Sequence, residues 1–119
     1  FGWYLRKFIM DAKEKGAIPI VLSHTPRNMW DNGKIQSNAD SFGKWTREAA
    51  ERAGAYFIDL NKISGDKLQK LGYEEGLKEV MPYFCKDHTH TSKQGARLNA
   101  KSIAEGLQQT DCALKTYLK

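Results

Sequence analysis

The chain reads as an α/β protein, and three features predict it. An apolar stripe at helical spacing leads into a short, uninterrupted apolar run. A polar loop and a second helical stripe follow, and then a second apolar run of the same kind. Each helical stripe is parted from its apolar run by a glycine. A strand covered by helices on both faces has no polar side to present, so it appears as a continuous run rather than as an alternation.

The first element covers about Trp3 to Lys15, with Trp3, Tyr4, Leu5, Phe8, Ile9 and Ala12 at helical spacing, and Gly16 is placed to end it. Ala17 to Leu22 is the first strand. Pro19 cannot donate to a ladder, which assigns it to the strand's start. Ser23 to Gly33 is polar, rich in turn formers and too long for a tight connection. It lies beyond the carboxyl end of a strand, where open α/β sheets bind ligands. Asp40 or Ser41 caps a second helix reaching about Ala53, with Phe42, Trp45, Ala49 and Ala53 along one stripe and Gly54 closing it. Tyr56 to Leu60 is the second strand, reached by a right-handed crossover. Ile63 to Leu77 is an amphipathic helix broken at Gly65, Gly72 and Gly76, and Met81 to Cys85 is an irregular connector. Ser92 caps a helix to about Leu107 that buries Ala96, Ile103, Ala104 and Leu107, and Thr110 to Lys119 forms a short terminal helix.

The 119 residues make one domain at most, spanning 1–119, with a modest core. An apolar share of 40% and a charged share of 28% are ordinary for a globular protein. No apolar run approaches the roughly 20 residues of a bilayer span, so no membrane partner is expected. The formal charge of +5 favours an acidic partner, but the basic residues are scattered and form no block interleaved with aromatics. That pattern argues against nucleic acid and leaves an acidic polysaccharide. Cys85 and Cys112 are the only cysteines, and the spacing leaves open whether they pair. Two parallel strands are marginal as an independent sheet. The chain is therefore expected to be part of a larger sheet or to find its missing half in a partner, self-association through the incomplete sheet included.

The chemistry concentrates in Asp87-His88-Thr89-His90-Thr91-Ser92. Asp87 and His90 are three apart, so in a turn both side chains reach one place. The acid then fixes the imidazole tautomer and leaves the other nitrogen free as a base. In the loop after the first strand, Arg27 suits a substrate carboxylate and Trp30 suits a sugar ring; the bland alternatives are a solvated charge and a ring packed under the loop. His24 lies close enough to the strand end to reach the same cleft, or to serve as a structural hydrogen-bonder. Asp59, at the end of the second strand, rivals Asp87 as the acid, against the alternative of capping the next helix. A metal site is a rival reading, with His88 and His90 on one face of a strand, Asp87 beside them and Cys85 near. No second ligand cluster exists, and zinc wants at least three protein ligands. A second rival is a non-catalytic module that binds carbohydrate or protein through its sheet edge.

Asp87-x-x-His90, followed by hydroxyl residues and by Gly95-Ala96 opening the last helix, resembles the final motif of the SGNH (GDSL-type) hydrolases. The run DHTHTS-x-x-GA is similar to the rhamnogalacturonan acetylesterase branch, as are GAIPIVLSHTPRNMW, AGAYFIDLN and CALKTYLK, so the likeness covers most of the chain. It implies a partial flavodoxin-like, three-layer fold of parallel strands flanked by helices, with the N-terminal half absent. It also implies a serine esterase that deacetylates a pectic polysaccharide such as rhamnogalacturonan, without a cofactor or metal, outside the cell or in the periplasm. Asp87 and His90 are the implied acid and base of a Ser-His-Asp triad, with Arg27, Trp30 and His24 toward substrate. The family's Gly-Asp-Ser and Gly-x-Asn-Asp blocks have no counterpart among these residues. None of the six serines follows Gly-Asp or sits in a Gly-x-Ser-x-Gly elbow. The chain alone is therefore expected to be inactive.

Overall fold

The computed structural model describes residues 1–119. Helix α1 (Gly2–Glu14) leads to strand β1 (Ile20–Leu22), and a small hairpin follows, β2 (Trp30–Asp31) with β3 (Lys34–Ile35). Next come α2 (Phe42–Ala53), β4 (Tyr56–Ile58), α3 (Leu60–Glu74) and the short α4 (Leu77–Val80). A 3₁₀ turn (Met81–Tyr83), α5 (Lys93–Gln108) and a terminal 3₁₀ segment (Ala113–Tyr117) complete the chain.

Strands β1 and β4 pair in parallel, with Ile20 opposite Tyr56, Val21 opposite Phe57 and Leu22 opposite Ile58. Alternation along these strands sends side chains to opposite faces of the sheet. On one face Val21 and Phe57 meet Ile9 and Leu5 of α1 and Ala50 and Ala53 of α2. On the other, Ile20, Tyr56 and Ile58 meet Leu107 and Ile103 of α5, Ile63 of α3, and Cys112 and Leu118 of the tail. Helix, sheet and helix thus stack as three layers, the α/β arrangement expected from the two apolar runs. A third cluster, Leu68, Val80 and Phe84 with Trp30, Ile35 and Leu98, fastens the hairpin and the loop before α5 to the outer helices.

Both strands are shorter than their apolar runs. Pro19 has no N–H, and its carbonyl accepts from Tyr56 at 3.3 Å, so the ladder begins at Ile20. The second run ends at Ile58 because the Asp59 side chain accepts from the Lys62 amide and starts α3 at Leu60. Gly65 and Gly72 do not break α3; they thin it, and the Trp30 ring lies where a side chain on Gly72 would go. The break falls at Gly76 alone (φ 96°). The polar loop after β1 contains the β2–β3 hairpin, turned at Asn32 and Gly33, both at positive φ. The tail forms a 3₁₀ segment rather than an α-helix.

Two buried faces differ from the apolar stripes. Helix α2 buries Gly43, Thr46, Ala49 and Ala50, while Phe42 and Trp45 lie outside and stack edge-on at 5.1 Å. Helix α5 buries Gly95, Asn99, Ser102, Gly106 and Leu107, whereas Ala96 is exposed and Ile103 and Ala104 are only half-buried. Closeness of approach selected this face, not hydrophobicity. A Cβ on Gly95 would overlap the Tyr83 carbonyl, and one on Gly106 would overlap Ile58 Cγ2. Gly106→Ala is therefore expected to destabilise the fold by about 1–3 kcal/mol, the usual cost of overpacking, with urea unfolding as the measurement. Ala96→Ser on the exposed side should leave the midpoint within experimental error.

Candidate active site

Asp87 to His90 form the tip of a loop whose neck is closed by an antiparallel bridge between Phe84 and Thr91. The Cys85 amide donates to the His90 carbonyl at 2.8 Å and the Ser92 amide to the Tyr83 carbonyl at 3.0 Å. Phe84 is buried beneath the neck. On the helix side Ser92 caps α5, its Oγ accepting from the Gln94 and Gly95 amides at 3.2 Å while donating to the Pro82 carbonyl at 2.6 Å. The bare Cα of Gly95 lets this first turn rest on the Tyr83 carbonyl.

At the tip, Asp87 organises its neighbours. Its Oδ1 accepts from the Thr89 amide at 2.8 Å and the His90 amide at 2.7 Å, an aspartate-side-chain turn. Its Oδ2 lies 2.8 Å from His90 Nδ1. The His90 amide, then the His90 ring and the Thr89 amide, hold the Asp87 carboxyl well below the usual carboxylate range. Asp87 is therefore ionised at neutral pH and has only lone pairs to offer. Nδ1 must carry the proton and donate it, which leaves Nε2 of the neutral ring as a free acceptor. The pair is open to solvent, with His90 77% and Asp87 50% exposed, so it adds little to stability. Its consequence is orientation of the ring.

The loop borders a cleft of about 520 Å³ whose lining includes Thr89, His24, Arg27, Ser37, Asn38 and Asn61. A hydrogen bond of 2.8 Å from the Asn28 amide to the His88 carbonyl ties the loop after β1 to the acid–imidazole loop. His24 stands at the rim among aromatic rings, 5.5 Å from Phe42 and 6.5 Å from Phe1. Arg27 lines the cleft and enters no ion pair. Trp30 is placed elsewhere: its ring packs on Gly72 and the Leu68–Val80–Phe84 cluster, and its Nε1 donates to Asn28 Oδ1 at 2.8 Å. Its role at this position is to brace the loop that carries Arg27, so the expected sugar contact is replaced by a structural one.

Asp59 takes the capping role. Besides the Lys62 amide it accepts from Ser23 Oγ at 2.9 Å and from Arg47 at 2.8 Å, so its lone pairs are spoken for. No serine hydroxyl hydrogen-bonds to His90; those of Ser23, Ser41, Ser92 and Ser102 donate to Asp59 or to backbone carbonyls. Residues 86–90 bend rather than extend, which removes the strand alternation that would place His88 and His90 on one face. No group of three His, Cys, Asp or Glu side chains is arranged to hold a metal ion. Cys85 is exposed and Cys112 buried, and both are free thiols. Asn61 and Asn38 were not legible as cleft residues. Asn61 reaches the cleft because it follows the capping Asp59, and its Oδ1 fixes the Asn38 amide at 3.2 Å.

No protein-family model matches the chain. A rhamnogalacturonan acetylesterase of Emericella nidulans is 27% identical over 118 residues, which are 99% of this chain and 46% of that protein. The rhamnogalacturonan acetylesterase RhgT of Bacillus subtilis is 28% identical over 130 residues, covering 99% of this chain and 56% of its own. The probable rhamnogalacturonan acetylesterase YesY of the same organism is 29% identical over 111 residues, 89% of this chain and 49% of YesY. The crystal structure of B. subtilis protein YxiM superposes with a TM-score of 0.82 over 94% of this chain and 31% of that one, at 23% identity, a likeness of fold. The chain spans about half the length of the curated relatives it matches. Along nearly its whole length, this α/β chain is thus a relative of the proteins named rhamnogalacturonan acetylesterase.

Proposed function

We propose that the chain supplies the acid and base of a carbohydrate esterase acting on an acetylated pectic polysaccharide such as rhamnogalacturonan. The observation that carries this reading is the Asp87–His90 pair at 2.8 Å, held in a loop whose Thr89 lines the cleft while Asp87 and His90 stand just outside its wall. The names and coverage of the relatives support the substrate class. A polysaccharide substrate places the reaction outside the cell or in the periplasm.

The missing member is a serine, supplied by a further stretch of chain or by a partner. Its Oγ attacks the acetyl carbonyl carbon while His90 Nε2 takes the hydroxyl proton, giving a tetrahedral oxyanion and an imidazolium that Asp87 stabilises. Collapse breaks the bond to the sugar oxygen, which receives the proton from Nε2 and leaves an acetyl-serine. Water, deprotonated by the same nitrogen, then attacks the acetyl carbonyl; collapse breaks the bond to the serine Oγ, which takes the proton back from Nε2 as acetate leaves. Arg27 faces the cleft as the group for a uronate carboxylate, and His24 forms part of the wall. A non-catalytic association reading draws on one observation: β1 pairs with β4 along only one edge, and Ile18, Leu22, Tyr4 and Phe8 are exposed.

Three measurements follow. In ¹⁵N spectra of the chain at neutral pH, His90 should show a protonated Nδ1 and an unprotonated Nε2; the opposite tautomer would remove it as a base. The chain alone should release no acetate from p-nitrophenyl acetate above an imidazole control. Fused to the part of RhgT outside the match, it should deacetylate rhamnogalacturonan, with His90→Ala and Asp87→Asn each lowering turnover by roughly 10³- to 10⁴-fold. Near-normal activity in either variant would overturn the assignment.

The lowered pKa of Asp87 also sets a pH window. The folded value lies below the unfolded one of about 3.9, so the contribution of the carboxylate is complete above that and fades as pH falls through the folded value. The ¹³C shift of the Asp87 carboxyl should therefore stay at its ionised value down to about pH 4 and move only in stronger acid. In Asp87→Asn the Thr89 and His90 amide shifts should be displaced at neutral pH.

A further inference from the structure

The cleft beside the acid–imidazole loop does not stop at Asn61. Gln36, Ser37 and Asn61 line it, and the same three residues line a second depression of about 670 Å³ between β3 and the outer face of α3. The two adjoin across these three residues to form one groove-like surface, each part within the about 300–1,000 Å³ of ordinary ligand sites. Its geometry is fixed in advance. Gln69 of α3 accepts from the Ile35 amide at 2.7 Å and donates to the Gly33 carbonyl at 2.8 Å, clamping the hairpin to the helix. Gly65 leaves the floor bare, with nothing closer to a Cβ there than Ile35 Cγ2 at 3.9 Å.

The charges along the second depression do not cancel. Lys62 and Asp66 neutralise each other at 2.7 Å, and Asp59 is matched by Arg47. Lys34 enters no ion pair, and Lys70 pairs with Glu74 at 4.0 Å, the longest ion pair in the chain. With Arg27 in the first cleft, Lys34 leaves unpaired cations along the path, and Lys70 is the most loosely held of the rest. Tyr73, 86% exposed, presents its ring at the far stretch. A clamped groove with a largely apolar wall, unpaired cations and a bare aromatic ring fits an extended anionic sugar chain, whose ring faces are apolar and whose carboxylates are charged.

We infer that this groove binds an acidic polysaccharide on the stretch leading away from the reaction cleft, with Lys34 and Lys70 taking uronate carboxylates and Tyr73 lying against a sugar face. The inference rests on the esterase reading of the first cleft, yet the two are tested apart. The probes are oligogalacturonate and a neutral galactan oligomer of equal length, titrated into the chain by calorimetry and amide chemical shifts. Lys34→Glu combined with Lys70→Glu should weaken oligogalacturonate binding by about tenfold, and raised salt should weaken it in the wild type. Tyr73→Ala should weaken it as well, and His90 ring shifts should stay put in both variants. No binding of oligogalacturonate by the wild type, or unchanged affinity after charge reversal, would overturn the groove. Loss of binding on charge reversal in a protein whose RhgT fusion releases no acetate would sustain the groove and remove the esterase reading.

Discussion

One carboxylate accepting three hydrogen bonds from the residues just after it is the constraint on which the site depends. Asp87 holds the Thr89 and His90 amides on one oxygen and the His90 ring on the other. The backbone contacts do the larger share of lowering its pKa, so the carboxylate is ionised before the imidazole is considered. An acid fixed by its own loop can only accept from the ring. The tautomer of His90 is thereby a property of a four-residue turn and needs no distant element to set it.

Distant elements decide where that turn sits. The Phe84–Thr91 bridge, the Ser92 cap and the close contact of Gly95 with the Tyr83 carbonyl anchor its neck against α5. Helix α5 is itself pressed onto the sheet through Gly106 against Ile58. Small residues at 95, 99, 102 and 106 form this face, so the helix acts as a brace whose precision comes from short approach distances. The bond from the Asn28 amide to the His88 carbonyl adds the other wall and brings Arg27 into the same cleft. A solvent-exposed ion pair contributes little to folding, so the rigidity of the loop is best understood as positioning.

The sheet has two open edges. Strands β1 and β4 pair only with each other, and aromatic residues on α1 are exposed. Two parallel strands are few for a sheet buried on both faces, and the matched relatives are about twice as long as the matched region.

The sequence by itself determined the layers, the caps at Ser92 and Gly54, and the pairing of Asp87 with His90, because each depends on residues within a few positions of one another. The three-residue spacing sufficed to bring the carboxylate and the ring together. Tertiary structure alone decided which face of α2 and α5 is buried, because glycine and serine win that choice through close approach to Tyr83 and Ile58, partners that periodicity does not reveal. It also decided that Trp30 packs inward on Gly72 and that Asp59 is consumed by Ser23, Arg47 and the Lys62 amide. Each of those outcomes hangs on contacts between residues far apart in the chain, where local spacing carries no signal.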